Sequence, residues 1–354
     1  MSGNSTPLVV QYLYVHEPGE EFYYPTARSS SSIARVAERY LECALAQAAT
    51  LRLQDARCDL ALATNVVDRS VLGRGGQRLL SRIEALDVEI LPTPYRHRPG
   101  DDGANYISSR YVLDAMLTSI EGQSPERQLW FTDLDCVWPD AARAFAAAPA
   151  APEIGCIYPP YTPDWVAGIT DGGSTREAIG ALADAMGAPA EMPKPPPWVG
   201  GELFTGAPAP LRALVQACEE VDARLAAEGK VLGAEEEILS LVGALGLVRY
   251  RDLSGVARRI LTGPRHGAPK MDPQLARTLG LWHLPAEKGL SLRRAAREML
   301  GGQGARLRKD IADPSRTARR FNVAGTGLPR RLRDDGWIAS QRLRDAASAA
   351  LTKG

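Results

Sequence analysis

Leu129-Trp130-Phe131-Thr132-Asp133-Leu134-Asp135-Cys136-Val137-Trp138 is an apolar run carrying two carboxylates two residues apart. On a regular strand, residues i and i+2 point to the same side, so Asp133 and Asp135 can converge on one point. Two ionised carboxylates crowded together repel, and a bound hard cation relieves the repulsion. Mg2+ or Mn2+ held in this way keeps coordination positions for diphosphate oxygens and neutralises charge on a departing nucleoside diphosphate. The plainer alternative is a strand-end turn in which one aspartate caps the next helix and the other is solvated.

The chain before this run alternates short apolar strands with helical stretches. Leu8–Val15, Asp59–Asn65 and Val88–Pro92 read as strands, with helices over Ser31–Leu53, Gln77–Leu86 and Tyr106–Ile120 between them; Gln128–Val137 reads as the next strand. Such alternation implies βαβ units, hence an α/β fold with a Rossmann-like, mostly parallel sheet flanked by helices. In such sheets ligands bind beyond the carboxyl ends of the strands, where the aspartates fall.

Beyond Pro139 the regularity loosens. Glu153–Tyr158 reads as a strand and Thr175–Met186 as a helix, followed by the proline-rich loop Pro189–Pro197. Helices are expected over Leu211–Ala227 and Ala234–Leu245, and strands over Leu247–Leu253 and Arg258–Thr262. From Arg293 onward the chain reads as short amphipathic helices broken by Gly301–Gly302, Pro314 and Pro329.

With 354 residues, 45% of them hydrophobic, the chain can form one large α/β domain with an appendage. The 42 basic and 42 acidic residues balance, so nothing global recruits nucleic acid. From Arg293 to the end, however, basic residues exceed acidic ones by nine. An acidic body with a basic tail suggests a helical segment with its own surface role, such as peripheral contact with anionic lipid; the alternative is a solvated tail packed back on the body. The five cysteines are odd in number and well separated, which argues for a reducing compartment and against a disulfide framework or zinc knuckle. No 18-residue apolar run or secretory pattern is present, and the expectation is a cytoplasmic protein.

Three later segments bear on the aspartates. Leu281-Trp282-His283-Leu284-Pro285-Ala286-Glu287-Lys288-Gly289 places a histidine and a lysine five residues apart in a Pro/Gly-bounded loop. Histidine suits first-row metals and lysine is a point charge suited to phosphate, so His283 is a candidate third ligand beside Asp133 and Asp135. In Trp198-Val199-Gly200-Gly201-Glu202 the paired glycines let the backbone approach a ligand closely, with Glu202 directly after them. In Gly233-Ala234-Glu235-Glu236-Glu237-Ile238-Leu239-Ser240 three carboxylates open a helix, where the dipole favours them whether or not they are catalytic.

Taken in order, these segments resemble glycosyltransferases of the GT-A fold. H-L-P-A-E-K-G is similar to the C-terminal H-x-x-G-x-x-K of glycosyltransferase family 8 and related retaining bacterial enzymes, and E-E-E-I-L-S to that family's D-Q-D-x-L-N. The His–Lys spacing here is five rather than six, and Glu236 stands in place of the glutamine. The resemblance implies that Asp133, Asp135 and His283 bind Mn2+ or Mg2+ and that Lys288, with Gly289 beside it, contacts the diphosphate. It further implies that Glu202, Glu235 and Glu236 face the acceptor or the anomeric carbon. Tyr12, Tyr14 and the loop from His16 to Ser29, Arg28 included, would hold base and ribose, and Arg110 would supply a basic contact to the nucleotide sugar. On this likeness, residues 1–290 form the GT-A domain, with a nucleotide-sugar half over 1–139 and an acceptor half over 140–290, and residues 291–354 form a basic helical extension. The implied reaction moves a sugar from a nucleoside-diphosphate sugar, UDP-sugars foremost, to a saccharide, lipid-linked or small-molecule acceptor with retention. A carboxylate at Glu235 or Glu236 acting as base would give inversion instead.

Three other readings share parts of the pattern. Asp133-Leu134-Asp135-Cys136-Val137 also looks like the first motif of haloacid-dehalogenase-type phosphatases, with Asp133 as nucleophile and Asp135 as acid/base. That motif normally sits on the first strand, whereas three βα units precede it here, and Asp334–Asp335 lie in an arginine-rich stretch rather than at a strand end. A nucleotidyltransferase usually carries a basic, Gly-rich loop after the first strand, where His16-Glu17-Pro18-Gly19-Glu20-Glu21 is acidic. A non-catalytic sugar-nucleotide binder fits less well with Asp133, Asp135 and His283 all present.

Overall fold

A computed structural model describes residues 6–17, 20, 33–98, 108–159, 176–262, 271–323, 325 and 332. The first half runs β1 (Leu8–Leu13), α1 (Ile33–Arg52), β2 (Asp59–Thr64), α2 (Gly73–Glu84), β3 (Val88–Pro92), α3 (Tyr111–Ile120) and β4 (Leu129–Thr132). After β5 (Cys136–Val137) and α4 (Ala141–Ala146) come β6 (Ile154–Cys156), α5 (Arg176–Ala185), β7 (Leu203–Gly206), α6 (Pro208–Ala227) and α7 (Glu235–Ala244). β8 (Tyr250–Asp252), β9 (Ala257–Arg259), α8 (Pro273–Arg277) and β10 (Leu281–His283) follow, then α9 (Ser291–Leu300), α10 (Gly304–Ile311) and α11 (Pro314–Arg320).

The main sheet has seven strands in the order β3-β2-β1-β4-β7-β6-β8. β7 runs antiparallel to both β4 and β6, and the other four pairings are parallel. The chain is thus α/β with a mostly parallel, mixed sheet flanked by helices. Alternation along each strand divides the core into two layers. Val9, Leu13 and Trp130 face the layer that holds α1, α2 and α9. Leu8, Val10 and Phe131 face the layer that holds α3, α6 and α7. α1 fits its layer because an Ala- and Leu-rich stretch lets a long helix lie close on the sheet; Ala44, Leu45, Ala46, Ala48 and Ala49 are all fully buried.

The strand expected over Gln128–Val137 is instead broken at Asp133. β4 ends at Thr132, a turn closed by the Cys136 N–H donating to the Asp133 carbonyl at 3.3 Å redirects the chain, and β5 joins a second sheet of order β5-β10-β9. Asp133 and Asp135 therefore converge through a turn between two sheets, not through strand alternation. The strand expected over Leu247–Leu253 contracts to β8, and that over Arg258–Thr262 is β9, shifted toward its start.

Of the basic C-terminal segment, α9 to α11 carry Leu292, Ala296, Met299, Leu307, Ile311 and Phe321 into the same apolar layer as Leu41 and Leu45 of α1. Arg293 of α9 also meets the buried Glu42 of α1 at 3.1 Å. Among the described residues, no helix is long and apolar enough to cross a membrane. All five cysteines are buried and free.

Candidate active site

Three strand registers assemble the site. Thr132 of β4 pairs with Leu203 of β7, so the next residue, Asp133, lies beside Glu202 and donates its N–H to the Glu202 carbonyl at 3.1 Å. His283 of β10 pairs with Cys136 of β5 on one side and with Arg259 of β9 on the other. Asp133, Asp135, Glu202, Arg259 and His283 are thereby gathered at the seam between the two sheets. The seam lies at the carboxyl ends of β1 and β4, where open α/β sheets bind ligands.

His283 Nε2 lies 3.3 Å from Asp133 Oδ2 and 3.2 Å from Asp135 Oδ2. One ligand atom from each of the three residues falls within 4.8 Å of the others. Asp135 and His283 are buried, and the Asp133 side chain keeps about a third of its exposure, giving the cluster one open side. Although buried, Asp135 Oδ2 and His283 Nε2 meet only ion-pair contacts at 3.2 to 3.3 Å, none with hydrogen-bond geometry. Buried polar atoms are nearly always satisfied, and a divalent cation between two carboxylates and an imidazole would satisfy both. The donor set fits such an ion. Lys288 Nζ stands 3.2 Å from Asp135 Oδ2, in place to meet an anion arriving at the same point. Burial works against the charge on Asp135, but Lys288 and His283 outweigh it and hold its carboxyl below the usual carboxylate range. Burial likewise opposes a charged His283, yet Asp135 and Glu202 push the ring up to about 10.

The glycine pair works differently from the sequence expectation of close ligand approach. A side chain at Gly200 would strike the Glu202 carboxylate, and one at Gly201 would strike that of Glu235. The two glycines make room for carboxylates. Glu202 is fully buried and accepts from Arg259 through both oxygens, Nε to Oε1 at 2.8 Å and Nη2 to Oε2 at 2.6 Å. Burial opposes its ionisation, but Arg259 and His283 hold the Glu202 carboxyl down to about 2.

The three helix-opening glutamates divide their tasks. Glu237 is the cap, its carboxylate accepting from the N–H groups of Gly233 and Ala234. Glu236 is buried, accepts from Trp198 Nε1 at 2.7 Å and from the Gly201 N–H, and pairs with Arg259. Glu235 is half-buried beside Gly201, and burial together with Glu236 pushes its carboxyl up to about 8.

Tyr12, at the end of β1, joins the cluster by donating its hydroxyl to Asp133 Oδ1 at 2.5 Å, with the Gly201 carbonyl 3.1 Å away. Tyr14 and His16 stand apart from it. Their rings meet edge-on at 5.1 Å, and Tyr14 also meets Tyr95 edge-on beneath the Arg98 guanidinium. They line a shallow depression that extends along α1 to Tyr40, whose ring centroid is 5.1 Å from Lys288 Nζ. Gly289 abuts the Arg39 guanidinium. Arg110 is buried and engaged by Asp222 at 2.6 Å and by the Leu232 carbonyl. Arg28 lies outside the described residues, as does most of the loop from His16 to Ser29 and the Asp334–Asp335 pair.

Sequence reasoning passed over Arg259 and Tyr40. An arginine between Arg258 and Ile260 in a short strand is a weak sign of a buried charge, and its partners Glu202 and Glu236 are distant in the chain.

No protein-family model matches the chain, and no curated protein matches it by sequence. Among solved structures it is similar to glycosyltransferases. An active-site mutant of LgtC aligns at 11% identity and TM-score 0.44, over 83% of this chain and 95% of that one. The galactosyltransferase LgtC in complex with donor and acceptor sugar analogues aligns at 9% identity and TM-score 0.44, with the same coverage. The bifunctional glycosyltransferase WbbM, in its apo form, aligns at 11% identity and TM-score 0.47, over 84% of this chain and 50% of that one. At such distances the chemistry is read from this chain's own side chains.

Proposed function

We propose that this protein is a metal-dependent glycosyltransferase that moves a sugar from a nucleoside-diphosphate sugar, a UDP-sugar foremost, to a saccharide, lipid-linked or small-molecule acceptor. The observation that carries the reading is the meeting of Asp133, Asp135 and His283 around one point, with Lys288 beside it. Asp133, Asp135 and His283 hold the cation, and the imidazole nitrogen tilts the set toward Mn2+ over Mg2+. When bound, the ion supplies positive charge to the diphosphate that leaves.

The chain's own groups supply the rest. Lys288 pairs with a diphosphate oxygen, and base and ribose lie over the surface formed by Tyr14, His16 and Tyr40. Transfer breaks the bond from the anomeric carbon to the diphosphate and forms one to an acceptor oxygen, whose proton passes to the departing diphosphate oxygen when the configuration is retained. Glu202 and Glu236 are both tied to Arg259, and Glu235 holds a proton at neutral pH. Two of the three carboxylates are thus occupied by Arg259, which favours retention; Glu235, raised toward neutral pH, is the group through which an inverting reaction would run. Glu235 and Glu236 then line the acceptor side.

The test is a thermal-shift titration with UDP and UDP-sugars, with and without Mn2+, together with NMR of the product's anomeric configuration. Stabilisation by UDP that requires Mn2+ and is lost in Asp135→Ala is the expected result, since a ligand stabilises the state it binds. Equal stabilisation with and without metal, or turnover of phosphate monoesters in place of UDP-sugars, would overturn the proposal.

A further inference from the structure

His283 presents Nε2 to the two aspartates, and its other ring nitrogen faces Glu202. Glu202 Oε1 is 3.5 Å from His283 Nδ1, an ion-pair contact looser than a closed hydrogen bond. No described group hydrogen-bonds to Nδ1. A metal-binding histidine normally donates its second N–H to a carboxylate, carbonyl or water, which fixes the tautomer and ring rotation. Glu202 is the group in place to do this. Its own orientation is set from behind, because Arg259 grips both carboxylate oxygens in a planar fork and is register-paired with His283 across β9 and β10. The room for that carboxylate exists only because residue 200 lacks a side chain.

We infer that Glu202 and Arg259 are positioning residues that set the cation affinity of the Asp133–Asp135–His283 cluster by fixing the rotation of the His283 ring. Neither touches the cation. The inference rests on the metal reading proposed above and adds a supporting shell to it. Arg259 has a second partner in Glu236, so the same guanidinium anchors one carboxylate on the metal side and one on the acceptor side. A fully buried carboxylate needs a partner to stay ionised and in place, and a lysine, a point charge on a flexible stem, cannot reproduce the fork.

The experiment titrates Mn2+ alone into the full-length protein by calorimetry, comparing wild type with Arg259→Lys, Glu202→Gln and Glu236→Gln. Glu202→Gln and Arg259→Lys are expected to weaken Mn2+ binding by about 10- to 100-fold, the usual effect of losing such a partner. Glu236→Gln, which frees the other side of Arg259, is expected to stay within about twofold of wild type. At saturating Mn2+, the pulsed-EPR nitrogen coupling from the His283 ring should differ between Glu202→Gln and wild type, a signature that simple destabilisation would not produce. Should Arg259→Lys fail to fold, Glu202→Gln carries the test alone. Wild-type Mn2+ affinity in Glu202→Gln, or an equal loss in Glu236→Gln, overturns the positioning role while leaving the metal site standing. Absence of Mn2+ binding by wild type overturns the metal reading itself, and the positioning role with it.

Discussion

The Tyr12 hydroxyl donates to Asp133 Oδ1 at 2.5 Å across a sequence separation of 121 residues, so the first strand of the fold steadies the exposed member of the aspartate pair. Tyr12→Phe removes that donor and leaves the ring. Because Asp133 keeps about a third of its exposure, water can replace the bond, and the stability loss should be near the ordinary value of about 1 kcal/mol. Urea denaturation measures it. Mn2+ affinity should fall as well, since Asp133 becomes free to turn away; an unchanged affinity would show that the tyrosine serves only packing.

Lys288→Met tests the proposed phosphate contact. Lys288 stands 3.2 Å from Asp135 as a competing cation and as a partner for an incoming anion. Its removal should weaken UDP binding in the presence of Mn2+ by about tenfold or more, a charge-assisted contact being worth roughly 1.5–3 kcal/mol. Mn2+ binding alone should hold or tighten. Calorimetry separates the two, and weakening of both to the same degree would place the lysine among the supports of the metal site.

The pH dependence of metal binding follows from His283. With its ring pushed up to about 10, the metal-free protein carries an imidazolium there at neutral pH, and a cation must displace that proton. Mn2+ affinity should therefore rise with pH across the neutral range and binding should release a proton, measurable by calorimetry in buffers of different ionisation enthalpy. The same raised value makes the charged histidine stabilising in the metal-free protein. That contribution is complete below about 6.5 and is lost as pH climbs through about 10.

Glu235 behaves in the opposite way to an ordinary ion-paired carboxylate. Its value of about 8 lies above the unperturbed 4.5, so the folded state binds its proton more tightly than the unfolded state does. Stability should fall as pH rises from about 4.5 to 8, and the full cost of ionisation is present above that. Glu235→Gln removes the ionisation. Its melting temperature should exceed wild type by a few degrees at pH 9 and match it more closely at pH 5; a constant difference would contradict the raised value.

Phe321 tests how firmly the basic C-terminal helices belong to the body. It is fully buried just after α11, in the layer that includes Leu41 and Leu45. Phe321→Ala should cost about 3–5 kcal/mol, the usual range for emptying a core aromatic site. Denaturant unfolding monitored at the tryptophans reads this directly. A loss below about 1 kcal/mol would mean that α9 to α11 detach without disturbing the main core.

The α/β alternation, the mostly parallel sheet and the D-x-D at the end of β4 were legible in the sequence, whereas His283, expected in a loop, ends strand β10. Hydrophobic periodicity and turn residues are local properties, and most of the elements they predicted form near the expected bounds, β3 without any shift, while the strand expected over Gln128–Val137 splits at Asp133. The donor types of Asp133, Asp135 and His283 suggested a cation site before any geometry was known, and the three side chains do meet. Tertiary structure alone decided that the aspartates meet through a turn between two sheets, that Gly200 and Gly201 make space for carboxylates, and that Glu237 caps α7 while Glu236 joins Arg259. It alone paired Arg259 with Glu202 behind the histidine. The reason is physical: a buried charge takes its partner from whichever strand the register sets beside it, and register between distant strands is fixed by the packing of the whole core rather than by the residues on either side.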